Sequence, residues 1–253
     1  MADQIFADRR LVQLYDPLDP DRSDLDAYAA IADEFDAQSL LDIGCGTGTW
    51  ACRFATQGRE VTGLDPAAAS LEVAQSRLGG DRVRWIHGDV TALPPLQVNL
   101  ATMTGNVAQV FLTDREWLSV LRRARASLGP GGRLVFEVRN PAKEAWRDWN
   151  RRQTYRRAEI TGQGPIETWV ELTEVNGQLV SFQSTFVFGD TGEILTSAST
   201  LRFRDREQIT ESLALAHLAV VEVRDAPDRP SQEFVFVAQR VPDASEPFGE
   251  VTG

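Results

Sequence analysis

The residues best suited to chemistry in this 253-residue chain lie in one stretch, Leu40-Leu41-Asp42-Ile43-Gly44-Cys45-Gly46-Thr47-Gly48-Thr49-Trp50. Leu40, Leu41 and Ile43 read as a buried strand. Three glycines at alternate positions then form a loop, and Thr47 or Thr49 can cap the helix that follows, with Trp50, Ala51, Phe54 and Ala55 on its inner face. Glycine is needed where a backbone turns sharply and lets a ligand come close, because a Cβ would block the approach. A second apolar run, Val61 to Leu64, ends in Asp65. An acidic residue at the tip of the second strand can accept both hydroxyls of a ribose. The chemistry implied is the binding of a nucleoside-containing cofactor on an open α/β sheet.

Spacing narrows this. A dinucleotide loop, G-x-G-x-x-G/A, requires Gly or Ala where this chain has Thr49, and the third glycine arrives one residue early, at Gly48. The tighter loop, preceded by Asp42, resembles motif I of the class I S-adenosylmethionine (SAM) dependent methyltransferases. In that family the loop passes the methionine part of SAM, with its ammonium and carboxylate, and seats no pyrophosphate.

The elements that must position this loop alternate strand and helix. Strands are expected at 39–43, 60–64, 82–86, 98–103 and 133–138, with helices at 48–57, 67–78 and 114–127. The second helix should turn Leu71, Ala74 and Leu78 inward, and the third opens with Thr113 and Glu116 as a capping box. Such alternation means parallel βαβ units in a doubly wound sheet. Ahead of them, Phe6 to Tyr15 is a short amphipathic stretch broken by Asp16-Pro17, and a helix from about 24 to 35 leads into the glycine strand. After Pro141 the rhythm changes: residues 142–152 look helical, and strand-like runs follow at 153–161, 166–175, 178–188 and 193–203. Asn176-Gly177 marks a tight hairpin turn, and Val180, Phe182, Phe186 and Phe188 share one strand face. A helix capped by Asp205 and strands at 218–224 and 232–239 close the fold. The organisation expected is an N-terminal helical lid (1–35), a core (36–140 with 205–240), an inserted antiparallel β meander (141–204) and a disordered tail (241–253).

This order is similar to the class I methyltransferase fold, Rossmann-like, with seven strands in order 3-2-1-4-5-7-6 and the last antiparallel. The likeness rests on Asp42 to Gly48, Asp65, Gly88-Asp89-Val90, and Leu128-Gly129-Pro130-Gly131-Gly132. The meander resembles that of small-molecule N-methyltransferases. The resemblance implies that Gly44, Cys45, Gly46, Thr47 and Gly48 pass the methionine moiety, with Asp42 orienting the loop or receiving the ammonium through water. It further implies Asp65 on the ribose, Pro66 and Val90 beside the adenine, Asp89 on its amino group, and Met103, Thr104, Gly105 and Asn106 around the methyl-transfer site. The Asn/Asp-Pro-Pro-Tyr motif of many DNA and protein N-methyltransferases is replaced by Thr104-Gly105-Asn106-Val107, which disfavours their substrates.

Three residues are candidates for contact with the acceptor. In related enzymes the N-terminal segment folds over SAM, which makes Tyr15 one of them. Asn106 lies at the carboxyl edge of the sheet, where open α/β sheets bind ligands, and Arg139 ends strand five, where it could pair with a substrate carboxylate. Glu137 alternates with Arg139 on the same strand. Trp146, Trp149 and Trp169 could wall an acceptor pocket, although core packing is the commoner use; His87 and His217 read as packing or surface residues.

A formal net charge of −11 argues against nucleic acid as a partner. Lys143 is the only lysine, a bias ascribed to genome composition, and the arginines from Arg147 to Arg157 read as a solvated face. With two cysteines and two histidines, no metal site is expected. No apolar run or basic leader indicates a membrane span or signal peptide, so a cytoplasmic location is the default. The meander should carry acceptor specificity or a homodimer contact. The reading is a SAM-dependent methyltransferase acting by in-line displacement on a small-molecule acceptor, at an amine nitrogen. A nicotinamide-dependent oxidoreductase and a non-catalytic SAM-binding protein of the same fold remain the alternatives.

Overall fold

A computed structural model describes residues 2–242, so most of the expected tail, from residue 243, lies outside the described residues. The central sheet has seven strands: β1 (Ser39–Ile43), β2 (Glu60–Asp65), β3 (Val83–His87), β4 (Val98–Met103), β5 (Leu128–Arg139), and the late pair β10 (Leu218–Asp225) and β11 (Glu233–Arg240). Their order is β10-β11-β5-β4-β1-β2-β3. The first five are parallel, and β11 runs antiparallel to both β5 and β10. This is the doubly wound, Rossmann-like arrangement expected from the alternation. The other four strands, β6 (Arg156–Ile160), β7 (Gly164–Asn176), β8 (Leu179–Phe188) and β9 (Ile194–Arg202), form a separate antiparallel sheet.

Alternate residues of the central strands serve two helical layers. Leu41, Ala101, Leu134, Phe136 and Phe236 face the helices α6 (Asp114–Ser127) and α8 (Arg206–Leu215). Leu40, Leu100, Val135, Val235 and Val237 face α3 (Asp24–Glu34) and α4 (Thr49–Thr56). The strict two-residue period of a pleated strand produces this division. The capping boxes at Thr113/Glu116 and Asp205/Gln208 fix where α6 and α8 begin.

Four details depart from the expected layout. α1 (Gln4–Ala7) and α2 (Arg9–Leu18) replace the single short stretch, and α2 continues through Asp16-Pro17. Pro17 sits in its last turn, where the N–H it lacks would have donated to the Gln13 carbonyl, so one hydrogen bond is lost and the helix ends one residue later. α5 (Ala68–Ser76) stops early, so Leu78 points outward and is 88% exposed. The cause is Arg77, whose Nε donates to the Thr47 carbonyl at 3.0 Å and whose backbone is extended. Residues 142–152 form no continuous helix; two 3-10 turns (141–143 and 145–148) and α7 (Arg151–Thr154) replace it. Trp146 packs edge-on against Phe203 at 4.6 Å and Trp149 against Phe182 at 4.7 Å, so tertiary stacking overrides the local helical pattern.

The meander uses its apolar face internally. Ile160, Ile166, Phe186 and Phe188 form a cluster with Leu11 and Leu14 of α2. The second sheet therefore clamps the N-terminal helix over the carboxyl edge of the first. No helix among the described residues is long and apolar enough to cross a membrane.

Candidate active site

β1 delivers the chain into the loop from Gly44 to Gly48. All three glycines adopt left-handed backbone angles, with φ of 73°, 52° and 77°. A Cβ on Gly44 would lie 2.7 Å from the Val107 side chain, and one on Gly48 would lie 2.7 Å from Ala74 and Trp85. Around Gly46, by contrast, nothing lies within 4 Å of a Cβ, so this face of the loop is open to a ligand. Gly44 N and Cys45 N both donate to the Leu64 carbonyl, at 2.8 and 3.1 Å, which holds the loop on β2.

Asp65 ends β2 directly beneath that open face. Its carboxylate accepts from Gly46 N and from Ala67 N, each at 2.8 Å. Each carboxylate oxygen has a second lone pair, so the side chain retains capacity for two hydroxyl donors. Burial raises its pKa. Pro66 is exposed, and its carbonyl lies 3.1 Å from His87 Nε2. Asp89 is exposed and caps the turn Val90–Ala92: its Oδ1 accepts from Thr91 N at 2.8 Å and from Thr91 Oγ1 at 2.5 Å. These hydrogen bonds hold its pKa below the usual value. Val90 is buried beside it.

The floor of the site is polar. Asp42 on β1 is buried; its Oδ1 accepts from Thr102 Oγ1 at 3.0 Å, and Trp50 Nε1 donates to the same hydroxyl at 3.1 Å. Asp42 Oδ2 has no partner, and desolvation pushes the pKa up to about 7. Further along the edge, Asn106 N donates to Glu137 Oε1 at 2.6 Å, and Asn106 Nδ2 donates to Glu233 Oε1 at 3.2 Å. Asn106 Oδ1 and Glu137 Oε2 also lack partners. Buried oxygens with no donor therefore stand at the carboxyl ends of β1 and β5 and in the loop after β4. Most buried polar atoms are satisfied, and concentrated exceptions mark places where a ligand supplies the donors.

Arg139 donates through Nη1 to Gln109 Oε1 at 3.0 Å, faces Glu233 Oε1 at 3.9 Å and lies 5.8 Å from the Trp149 ring. Burial raises the Tyr15 pKa. Asn106 and Arg139 thus meet at Glu233, with Thr104 two residues before Asn106, whereas the ring contact of Tyr15 is with Phe6 of α1 at 5.5 Å. Met103 is fully buried in the apolar core opposite Phe136, so Thr104 is the polar residue that the strand end offers. Trp169 stands apart, covered by Arg151 at 4.2 Å, and the arginines from Arg147 to Arg157 are exposed.

Asp16, Arg77, Glu137 and Glu233 complete the site without having been singled out as site residues from sequence. Asp16 of α2 accepts from Thr47 Oγ1 at 3.0 Å and Thr49 Oγ1 at 3.3 Å, and it pairs with Arg77. Glu137 and Glu233 carried a signal: each is an ionisable residue in an apolar strand, Val135-Phe136-Glu137-Val138 and Glu233-Phe234-Val235-Phe236.

Comparison with known proteins agrees with this geometry. Residues 40–132 match the family model of the methyltransferase domain. An uncharacterised methyltransferase of Mycobacterium tuberculosis is 32% identical over 98 residues, covering 39% of this chain and 49% of that protein. The chain thus matches about half the length of that relative. A SAM-dependent methyltransferase from Clostridium acetobutylicum superposes with a TM-score of 0.76 at 15% identity, over 91% of this chain and 98% of the other. The amino pentose methyltransferase CalS10 from Micromonospora echinaspora, solved with SAM bound and involved in calicheamicin biosynthesis, superposes with a TM-score of 0.69. It is 26% identical, over 87% of this chain and 92% of the other.

Proposed function

We propose that this chain, a member of the class I SAM-dependent methyltransferase family, binds SAM between the Gly44–Gly48 loop and Asp65 and methylates an amine nitrogen of a small-molecule acceptor. The observation that carries this reading is the run of unpartnered buried oxygens on Asp42, Asn106 and Glu137. A site rich in acceptors and short of donors suits a ligand that brings N–H and O–H groups and positive charge. SAM has an ammonium, a ribose and a sulfonium, and an amine acceptor adds a second nitrogen. A dinucleotide's pyrophosphate would meet carboxylates where it needs donors, which counts against the oxidoreductase alternative.

Bound SAM would supply an electrophilic methyl group. The protein's part is alignment and exclusion of water. The open face at Gly46 admits the methionine portion, and Asp65 accepts the ribose hydroxyls while its other lone pairs hold the loop. Asp42 Oδ2, buried at the foot of the loop and without a donor, is the acceptor offered to an ammonium. α2, tied to the loop through Asp16, would roof the edge and exclude water, with Tyr15 carried on it. Asn106, Glu137 and Arg139 meet the acceptor beyond. CalS10 acts on an amino pentose, and the similarity to it supports nitrogen as the methylated atom.

Calorimetry with SAM, S-adenosylhomocysteine and NADH tests the cofactor reading: micromolar binding of the first two and none of NADH is expected. Mass spectrometry of an amine panel incubated with SAM then tests turnover. Cofactor binding without a methylated product from any amine would favour the non-catalytic alternative.

A further inference from the structure

Asn106, Glu137 and Glu233 are 4%, 7% and 5% exposed and form one contact. Glu233 is satisfied: its Oε1 receives Asn106 Nδ2 at 3.2 Å and Arg229 Nη1 at 2.9 Å. Glu137 Oε2 and Asn106 Oδ1 are not. A buried acceptor left open is destabilising. Two in one contact weaken the fold and give it nothing in exchange. The backbone here is also held in an uncommon conformation, with φ of 71° at Gly105 and 62° at Asn106. Asn tolerates the left-handed region through its short polar side chain, and such residues gather at functional sites.

The groups facing Glu137 are Glu233 on β11, Asp24 on α3 and Arg139 on its own strand. Burial dominates, the two carboxylates add to it, and the Asn106 N–H and Arg139 act the other way; the carboxyl is pushed up to about 8. A carboxyl oxygen without a donor, beside an amide oxygen that also lacks one, suits a nitrogen bearing several hydrogens. A hydroxyl brings one hydrogen and a carbon acceptor none that would satisfy them.

Resting on the methyltransferase reading above, we propose that Glu137 and Asn106 form the subsite for an acceptor that arrives as a primary or secondary alkylammonium ion, and that Glu137 is the base that receives its proton. The arriving cation displaces the carboxyl proton of Glu137 to solvent. One N–H bond of the ammonium then breaks, its proton passes to Glu137 Oε2, and the electron pair stays on nitrogen as the lone pair needed for attack. Asn106 Oδ1 accepts a remaining N–H and fixes the orientation of the nitrogen. Arg139 is held by Gln109 and lies 5.8 Å from the Trp149 ring, so both would stand beside the body of a bound acceptor.

The test is calorimetry at pH 7 on protein saturated with S-adenosylhomocysteine, in buffers of differing ionisation enthalpy. The probes are benzylamine, cyclohexylamine and glucosamine, with benzyl alcohol and cyclohexanol as matched controls. At least one amine is expected to bind with release of about one proton, and the alcohols about tenfold or more weaker than their amines. Glu137→Gln should bind S-adenosylhomocysteine as the wild type does, lose about tenfold or more in amine affinity and release no proton. Glu137→Asp, which keeps a carboxyl, should retain proton release. Amine binding and proton release unchanged in Glu137→Gln would overturn the assignment, as would alcohols matching amines or a wild-type protein that holds S-adenosylhomocysteine but no amine. Failure of the wild type to bind S-adenosylhomocysteine at all would instead remove the reading on which the assignment rests.

Discussion

The Asp16 carboxylate accepts a hydrogen bond from the Thr47 hydroxyl at 3.0 Å, joining the last turn of the N-terminal helix to the glycine loop. Thr49 and Arg77 meet the same carboxylate, so one side chain ties together α2, the loop and the end of α5. Asp16→Ala should release α2. We expect hydrogen exchange of the amides from Leu11 to Tyr15 to accelerate roughly tenfold, equivalent to about 1–2 kcal/mol of lost hydrogen bonding and ion pairing. Affinity for S-adenosylhomocysteine should fall by a similar factor while the melting of the core changes little. Unaltered exchange in α2 would show that the meander alone holds the helix.

Gly44 and Gly46 make opposite predictions from adjacent places in one loop. A Cβ on Gly44 meets Val107 at 2.7 Å with φ already at 73°. Gly44→Ala should therefore destabilise the protein by about 2–3 kcal/mol in denaturant unfolding, combining left-handed strain with a forced shift of Val107. A Cβ on Gly46 meets nothing within 4 Å. Gly46→Ala should cost only about 1 kcal/mol of stability, yet weaken nucleoside binding because the methyl projects into the ligand's side of the loop. Equal stability losses in the two variants would refute this distinction.

Two buried carboxyls should make stability depend on pH in an unusual direction. Asp42 is pushed up to about 7 and Glu137 to about 8, chiefly by burial. A carboxyl whose pKa is raised on folding binds its proton more tightly in the native state. Between the ordinary carboxylate range, about 4, and these raised values the native state holds more protons than the unfolded one. Stability from these groups is therefore greatest at low pH and lost as pH rises through 7 to 8. The ligand-free protein should melt at lower temperature at pH 9 than at pH 6, and the slope should flatten in Glu137→Gln and in Asp42→Asn. The effect is on the order of a few kcal/mol. A slope unchanged in both variants would mean that neither side chain is buried as described.

Much of this is legible in the sequence. The strands were visible because their period-two pattern had to feed two helical layers, as Leu40 and Leu41 do on opposite faces of β1. The glycine loop and Asp65 were visible because their chemistry is local. What local pattern could not supply was pairing across distance. Asp16 looked like a chain breaker beside Pro17, since nothing in the sequence links it to Thr47. Residues 142–152 carried a helical pattern, but Phe182 and Phe203 draw Trp149 and Trp146 into stacks that a continuous helix does not provide. Leu78 fitted the inward stripe of α5 until Arg77 turned toward Thr47. Glu137 was conspicuous as a charge in an apolar strand, but its neighbour Glu233 is brought near only by the antiparallel register that sets Glu233 opposite Arg139.

The central claim is that Asp65 and the open face at Gly46 form one nucleoside cradle. Asp65→Ala removes the ribose acceptor and the support of Gly46 N together. The dissociation constant of S-adenosylhomocysteine for wild-type and Asp65→Ala protein, measured by calorimetry at one pH and salt concentration, tests it directly. The account predicts binding at least about thirtyfold weaker in the variant, some 2 kcal/mol, with the fold retained by circular dichroism. Equal affinity in the two proteins would contradict it.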